Sequence, residues 1–350
     1  MSTYRFIRKI AFGFLIIQPL FYCSLTKAQT LFADTNYYKP IGKLIDIGGY
    51  KLNLNCTGKG NMTVVLISGS LNFSFDWKLI QDKLSESVRV CSYDRPGLAW
   101  SGAGPMPRSM MQDVYELHTL LKAAKINSPL ILVGHSIGGI IARMYAKQYF
   151  NDVAAIVLVD ATSENAILNI KGKNERVRTL AVADKKIPPV KTNVDTLTKI
   201  PSIQEAEELW NMFGKPSISF PFDKLPANIQ KIRLWAQSLP KYQIADADDY
   251  MPEEFAEMYS DSSKFKLANK PLIVLCSIKN EYPQELGQVM RDSLMTDKIR
   301  NQKRFLNLSS NSKLITTSIS GHEIFLTEPN LVVDAIKQVT YAVETKSKLK

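Results

Sequence analysis

The clearest candidate for chemistry is Ser136, held between two glycines in Gly134-His135-Ser136-Ile137-Gly138. A serine hydroxyl attacks a carbonyl only when a base takes its proton and donors receive the oxyanion. Such a serine calls for a histidine and a carboxylate from elsewhere in the chain. The chain has 3 histidines, so elimination is informative. His135 adjoins Ser136 on the same turn, where neighbouring side chains point apart, and is expected to support that turn. His118 falls inside an upstream helical pattern, where a surface or packing role is expected. His322, in Ser320-Gly321-His322-Glu323, follows the last strand-like run and is the candidate general base.

Two carboxylates compete to orient that imidazole. Asp160 ends the apolar run 156–159, directly after the helix that follows Ser136, and small residues come next. It is the favoured acid, set against a plainer role capping the segment 161–165. Glu281, after the run 271–277, is the alternative acid. The oxyanion hole needs two backbone donors. The Ile137 amide, next to the nucleophile, is one candidate, and the Ser70 amide in Ser68-Gly69-Ser70-Leu71 is the other.

Chemistry at Ser136 requires a strand ahead of it and a helix behind it, meeting in a sharp turn. The run 130–133 (LILV) and the helical pattern 137–149 supply both. Around them, short apolar runs alternate with helical patterns. Segments 43–47 and 50–56 read as a hairpin turning at Gly48-Gly49. Strands are expected at 64–68, 89–93, 130–133, 154–159, 271–277 and 313–318. Helices are expected at 76–86, 109–125, 137–149 and 330–343. Apolar runs without polar alternation are those of parallel strands covered on both faces, so the fold class is α/β.

The stretch 161–269 breaks that rhythm. It shows no strand-like runs, but helical pieces at 202–213, 226–238 and 252–259. The expected division is a core in two parts, 29–160 and 270–350, with 161–269 inserted as a helical cap. Trp210, Phe213, Phe220, Phe222, Trp235 and Tyr250 are expected mostly to pack the cap, with some lining a pocket.

Composition narrows the remaining classes. The chain is 45% hydrophobic and 22% charged, ordinary for a folded protein. Its net charge is +11, of which Arg5, Arg8, Lys9 and Lys27 lie in residues 1–28. No basic cluster with interleaved aromatics suggests nucleic-acid binding. Residues 1–28 read as an export signal: a basic start, an apolar run over 10–22 and a small-residue exit at Ala28. That run is shorter than the ~20 residues of a spanning helix, so cleavage and export, with no stable membrane span, are expected. No cysteine or histidine spacing suggests a metal site, and no cofactor is implied.

Ser136 in GHSIGG, the late Gly321-His322, and Ser, Asp and His in that chain order resemble the α/β-hydrolase superfamily. Tyr93-Asp94-Arg95-Pro96-Gly97-Leu98-Ala99-Trp100-Ser101 resembles a stretch of its cap-bearing esterase and hydrolase branch. The likeness covers roughly residues 43–345. It implies a mostly parallel eight-stranded sheet whose second strand runs antiparallel, with the strands bearing Cys56 and Cys91 side by side. Buried thiols are the favoured state of those two cysteines, and a disulfide is the alternative in an exported protein. Two positions depart from the common pattern. Ser68-Gly69 stands where many relatives carry His-Gly, and Glu281 rather than Asp follows the seventh strand. The expected activity is cleavage of a carboxylic ester through an acyl-enzyme on a small-molecule substrate. An amidase, lactonase or aminopeptidase would use the same residues. A protein that kept the fold only to bind a ligand is the rival from another class.

Overall fold

Apolar runs that no charge interrupts become the middle of the sheet, because only a strand covered on both faces buries every residue. The computed structural model describes residues 39–105, 108–127, 129–170, 173–179, 205, 208, 210–211, 214–245, 252–261 and 264–350. The expected export signal lies outside the described residues, as do Phe213, Tyr250 and most of the expected helix 202–213.

Strands β1 (Lys43–Asp46) and β2 (Lys51–Thr57) form an antiparallel hairpin. Gly48 and Gly49 turn it at φ +96° and +120°, and Asp46 Oδ1 accepts from the Gly48 amide at 2.8 Å. Then follow β3 (Thr63–Ile67), α1 (Lys78–Leu84), β4 (Arg89–Tyr93), α2 (Met110–Ala123), β5 (Leu130–His135), α3 (Gly138–Gln148) and β6 (Val153–Val159). A separate hairpin comes next, β7 (Ile167–Ile170) with β8 (Lys173–Arg176). Helices α4 (Ala227–Gln237), α5 (Tyr242–Ala245) and α6 (Pro252–Asp261) follow. The chain rejoins the main sheet with β9 (Leu272–Ser277), α7 (Gln288–Arg304) and β10 (Ser312–Thr317), and closes with α8 (Ile324–Thr327) and α9 (Pro329–Thr345).

The main sheet has eight strands in the order β1-β2-β4-β3-β5-β6-β9-β10. β2 runs antiparallel to β1 and β4, and the other pairs are parallel. This is the α/β-hydrolase sheet that the sequence led one to expect. Alternate residues feed two cores. Val64, Leu66, Ile131, Val133 and Val157 meet Trp77 and Ile80 near and on α1, and Val332 and Ile336 on α9. Val65, Ile67, Leu132, Ile156 and Leu158 meet Leu117 and Leu121 on α2 and Ile141 and Tyr145 on α3.

Three expectations need correction. The stretch 161–269 does contain strands, since β7 and β8 pair antiparallel. β7 (ILNI) is only four residues long and interrupted by Asn169, and β8 (KNER) is wholly polar, so neither shows the longer apolar run or the alternation that marks a strand. Helix α7 lies where no helix was expected, for a reason that the site makes clear. Cys56 and Cys91 face each other across β2 and β4 and form a disulfide, not two buried thiols. Cys56 is exposed, so burial was the wrong premise for that pair. Cys276 is the free, buried thiol.

Helices α4 and α5 are fastened to the core by polar groups with few alternatives. Arg233 forms an ion pair with Asp76, both almost fully buried, and its guanidinium lies 3.6 Å from the Phe222 ring centre. Breaking such a pair leaves one buried charge uncompensated, so these contacts hold α4 in place. Lys241 Nζ donates to the Ser101 carbonyl at 2.6 Å, and Tyr242 OH to the Leu71 carbonyl at 3.4 Å.

Candidate active site

Ser136 stands at the carboxyl end of β5 with φ +52°, a conformation that side-chain-bearing residues rarely adopt. Its strain is held by close packing on both sides. A Cβ on Gly134 would lie 2.3 Å from the Gly138 carbonyl oxygen, and one on Gly138 the same distance from that of Ile67. The Ser136 amide donates to Val159 O at 3.2 Å, and its carbonyl accepts from the Thr162 amide at 2.9 Å. The turn thus presents the hydroxyl beside the ends of β5 and β6. Among the described residues the partner of Ser136 Oγ is Thr162 Oγ1, at 3.4 Å.

His322 follows β10 in a loop that several bonds immobilise. Ser277 Oγ donates to Ser320 O at 2.7 Å, and Ser320 Oγ to Glu328 Oε2 at 2.5 Å. His135 lies beneath, 1% exposed, with its Nε2 3.1 Å from the His322 carbonyl oxygen. Burial drives the proton affinity of His135 well below the ordinary histidine range, so the ring is neutral. It donates Nε2–H to that carbonyl, which leaves Nδ1 bare. The residue before the serine therefore props up the loop of the other histidine.

Asp160 ends β6 at φ +41° and is 2% exposed. Its Oδ1 accepts from the Ser277 amide at 3.0 Å. Its Oδ2 receives His322 Nδ1 at 2.7 Å and Lys298 Nζ at 2.8 Å. Burial alone would raise the pKa of this carboxyl; Lys298 and His322 outweigh it and hold it down at about 2. For His322 burial works against the charged ring, but the bond to Asp160 and its charge prevail and raise the proton affinity. The imidazole stays partly open to solvent, with its side chain 42% exposed.

Glu281 also reaches the His322 loop, but with a different target. Its Oε2 accepts from the His322 backbone amide at 3.0 Å, and Lys279 lies 3.5 Å away on the solvent side. The two competing carboxylates thus divide one residue: Asp160 meets the ring and Glu281 meets the backbone.

The second expected donor, Ser70, lies in a turn that passes against the serine. A Cβ on Gly69 would lie 3.0 Å from Ser136 Cβ. Arg95, from the Tyr93–Ser101 stretch, donates to the Ser68 carbonyl at 2.6 Å and the Gly69 carbonyl at 3.1 Å. In a trans peptide the N–H points opposite to the C=O, so the Ser70 N–H faces away from Arg95. The Ile137 amide opens α3, and among the described residues it has no acceptor. Helix N-termini carry partial positive charge, which suits an oxyanion. His118 stands apart, stacked on Tyr149 with ring centres 3.7 Å apart.

Lys298 and Thr162 are the site residues that the sequence did not disclose. Neither belongs to a motif, and Lys298 sits on the unexpected helix α7. A cavity of about 650 Å³ lined by Met111, Met144, Met258, Phe305 and Leu308 includes none of Ser136, Asp160 or His322. Among the described residues no group of three or more His, Cys, Asp or Glu side chains is placed to hold a metal ion. No described helix is long and apolar enough to cross a membrane.

Known proteins place this architecture. The uncharacterized protein YqjL of Bacillus subtilis (strain 168) is 33% identical over 103 residues, which is 29% of this chain and 41% of that protein. The chain thus spans less than half of that relative's length. A thermophilic esterase from Thermogutta terrifontis superposes with a TM-score of 0.53 at 20% identity, covering 86% of this chain and 98% of its own. The epoxide hydrolase CorEH superposes at 0.58 with 15% identity, covering 86% and 98%. At such identities the likeness is one of fold, and the two neighbours differ in chemistry. The model of the Alpha/beta hydrolase family matches residues 64–285. With its eight-stranded sheet and that match over more than half its length, the chain belongs to the α/β-hydrolase family.

Proposed function

We propose that the chain is a serine hydrolase that cleaves carboxylic esters through an acyl-enzyme on Ser136. The observation that carries this reading is the 2.7 Å contact between His322 Nδ1 and Asp160 Oδ2 at the carboxyl end of the sheet, where Ser136 stands strained. The contact fixes the tautomer with Nε2 bare, ready to take the serine proton once the hydroxyl rotates from Thr162. Resting geometry of this kind tightens when substrate arrives.

The steps follow from the groups in place. Ser136 Oγ attacks the ester carbonyl while its proton passes to His322 Nε2. The tetrahedral oxyanion rests on the Ile137 and Ser70 amides. His322 then returns the proton to the leaving alcohol, and the same base activates the water that releases the acid. Asp160 stabilises the imidazolium in both halves without taking the proton. The serine nucleophile supports this reading over the epoxide opening named for one structural neighbour, which the related folds perform with an aspartate. Export is part of the proposal: the Cys56–Cys91 disulfide suits an oxidising compartment, as does the basic-then-apolar start of the chain.

A fluorophosphonate probe and a panel of p-nitrophenyl esters test the reading. Labelling and turnover that vanish together in Ser136→Ala support it. An unlabelled, folded wild-type protein that still binds ester analogues would make it a binding protein instead.

A further inference from the structure

The oxygen of Asp160 that meets His322 also meets an ammonium that catalysis by serine, histidine and acid does not call for. Lys298 rises from the middle of α7 and places Nζ 2.8 Å from Asp160 Oδ2. Its side chain is 22% exposed, so water screens the pair weakly. The other titratable groups around this oxygen leave the lysine as its counter-charge. From β9, the Cys276 thiol is pushed up to about 12 by burial and by Asp160, and stays neutral. From the loop after β9, burial raises the Tyr282 phenol, which is likewise neutral, and Glu281 is turned to the His322 backbone. From β5, His135 is neutral. On α7 itself, Asp297 is engaged by Arg176 at 2.8 Å. Beyond β10, Glu323 adds negative charge that favours the protonated imidazole.

We propose that Lys298 is a positioning residue of the active site: its ammonium pins the shared Asp160 oxygen against His322 and offsets the pull of the carboxylates on the imidazolium. The inference rests on the reading of His322 as general base. A base bound to a buried carboxylate holds its proton more tightly when no cation opposes that carboxylate. A cation on the far side of the same oxygen reduces that hold while leaving the hydrogen bond intact. Asp160 does not swing free when the lysine is lost, because the Ser277 amide still holds Oδ1. Removing Lys298 therefore has one direction: the imidazole becomes more basic. Burial works against the charged lysine, but Asp160 prevails and raises its proton affinity, so it stays charged through neutral pH.

The test is an NMR titration of the His322 ring in wild type, Lys298→Met, Lys298→Gln and Lys298→Arg, with the kcat/KM–pH profile of each. Lys298→Met removes charge and bond, and Lys298→Gln keeps a donor while dropping the charge, which guards against a variant that fails to fold. The ring titration is expected to move up by about one pH unit in both neutral variants and to stay in place in Lys298→Arg. The acidic limb of kcat/KM is expected to move with it. An unmoved or lowered ring titration in a folded neutral variant overturns the proposal. If the ring moves as expected but the protein neither labels nor turns over, the electrostatic role of Lys298 stands and the hydrolase reading fails.

Discussion

Helices α3 and α7 both flank the site, yet one buries mostly apolar side chains and the other mostly polar ones. α3 follows Ser136 and buries Ile140, Ile141, Ala142, Met144, Tyr145 and Ala146, with one buried charge among them, Arg143, paired with Glu164 at 2.7 Å. α7 buries Leu294 and Met295, but beside them Asp297, Asn301 and Gln302, and it presents Lys298 to Asp160. Asn301 Nδ2 donates to Asn165 O at 3.2 Å, and Gln302 Nε2 to Ala161 O at 2.6 Å, both just past β6. α3 is held mainly by exclusion of water, with Arg143 as its one buried polar anchor, and its apolar face is readable from spacing. α7 is held by hydrogen bonds to the chain just after Asp160, and buried polar groups leave no stripe. A helix that serves the core announces itself; a helix that serves the site need not.

The largest expected effect lies on the α3 side of that comparison. Ser136→Ala should lower kcat by about 10⁶, measured by ester turnover, because the remaining groups cannot act alone. On the α7 side, Asp160→Asn should lower kcat by about 10⁴ through loss of the correct tautomer. Glu281→Gln, which meets the His322 backbone and Lys279 but not the imidazole, should cost less than about tenfold. A collapse confined to Glu281→Gln would reverse the assignment of the acid.

Stability should separate the two helices in the opposite sense. Ile141→Ala empties a fully buried site and should cost about 2–5 kcal/mol in urea unfolding, with kcat of the folded enzyme little changed. Gln302→Ala should cost only about 1–3 kcal/mol, the loss of one buried hydrogen bond. It should also lower kcat, since it loosens the chain beside Asp160. Equal catalytic effects from the two variants would erase the distinction between a core helix and a site helix. Smallest is the pH effect: Asp160 raises the proton affinity of His322, so the acidic limb of kcat/KM should lie above the ordinary histidine value of 6.5.

That contrast also explains what could be read in advance. The central strands were legible because LILV, AIVLV and LIVL lack charge, and the serine because glycines flank it between strand and helix. The placing of His322 followed from there being so few histidines. What stayed hidden is polar or depends on partners far away in sequence. Lys298 has meaning only opposite Asp160, which is 138 positions away. β7 is too short and β8 too polar to show a strand pattern. The Cys56–Cys91 bridge needed the register of β2 on β4, which no local pattern fixes.

The most direct measurement is an acid quench during turnover of p-nitrophenyl acetate, followed by intact-mass and peptide mapping of the trapped protein. An acetyl group on Ser136 in the wild type, formed far more slowly in Asp160→Asn and at nearly normal rate in Glu281→Gln, is the expected result. Turnover with no acyl group on Ser136, or with the group on another residue, would contradict the account.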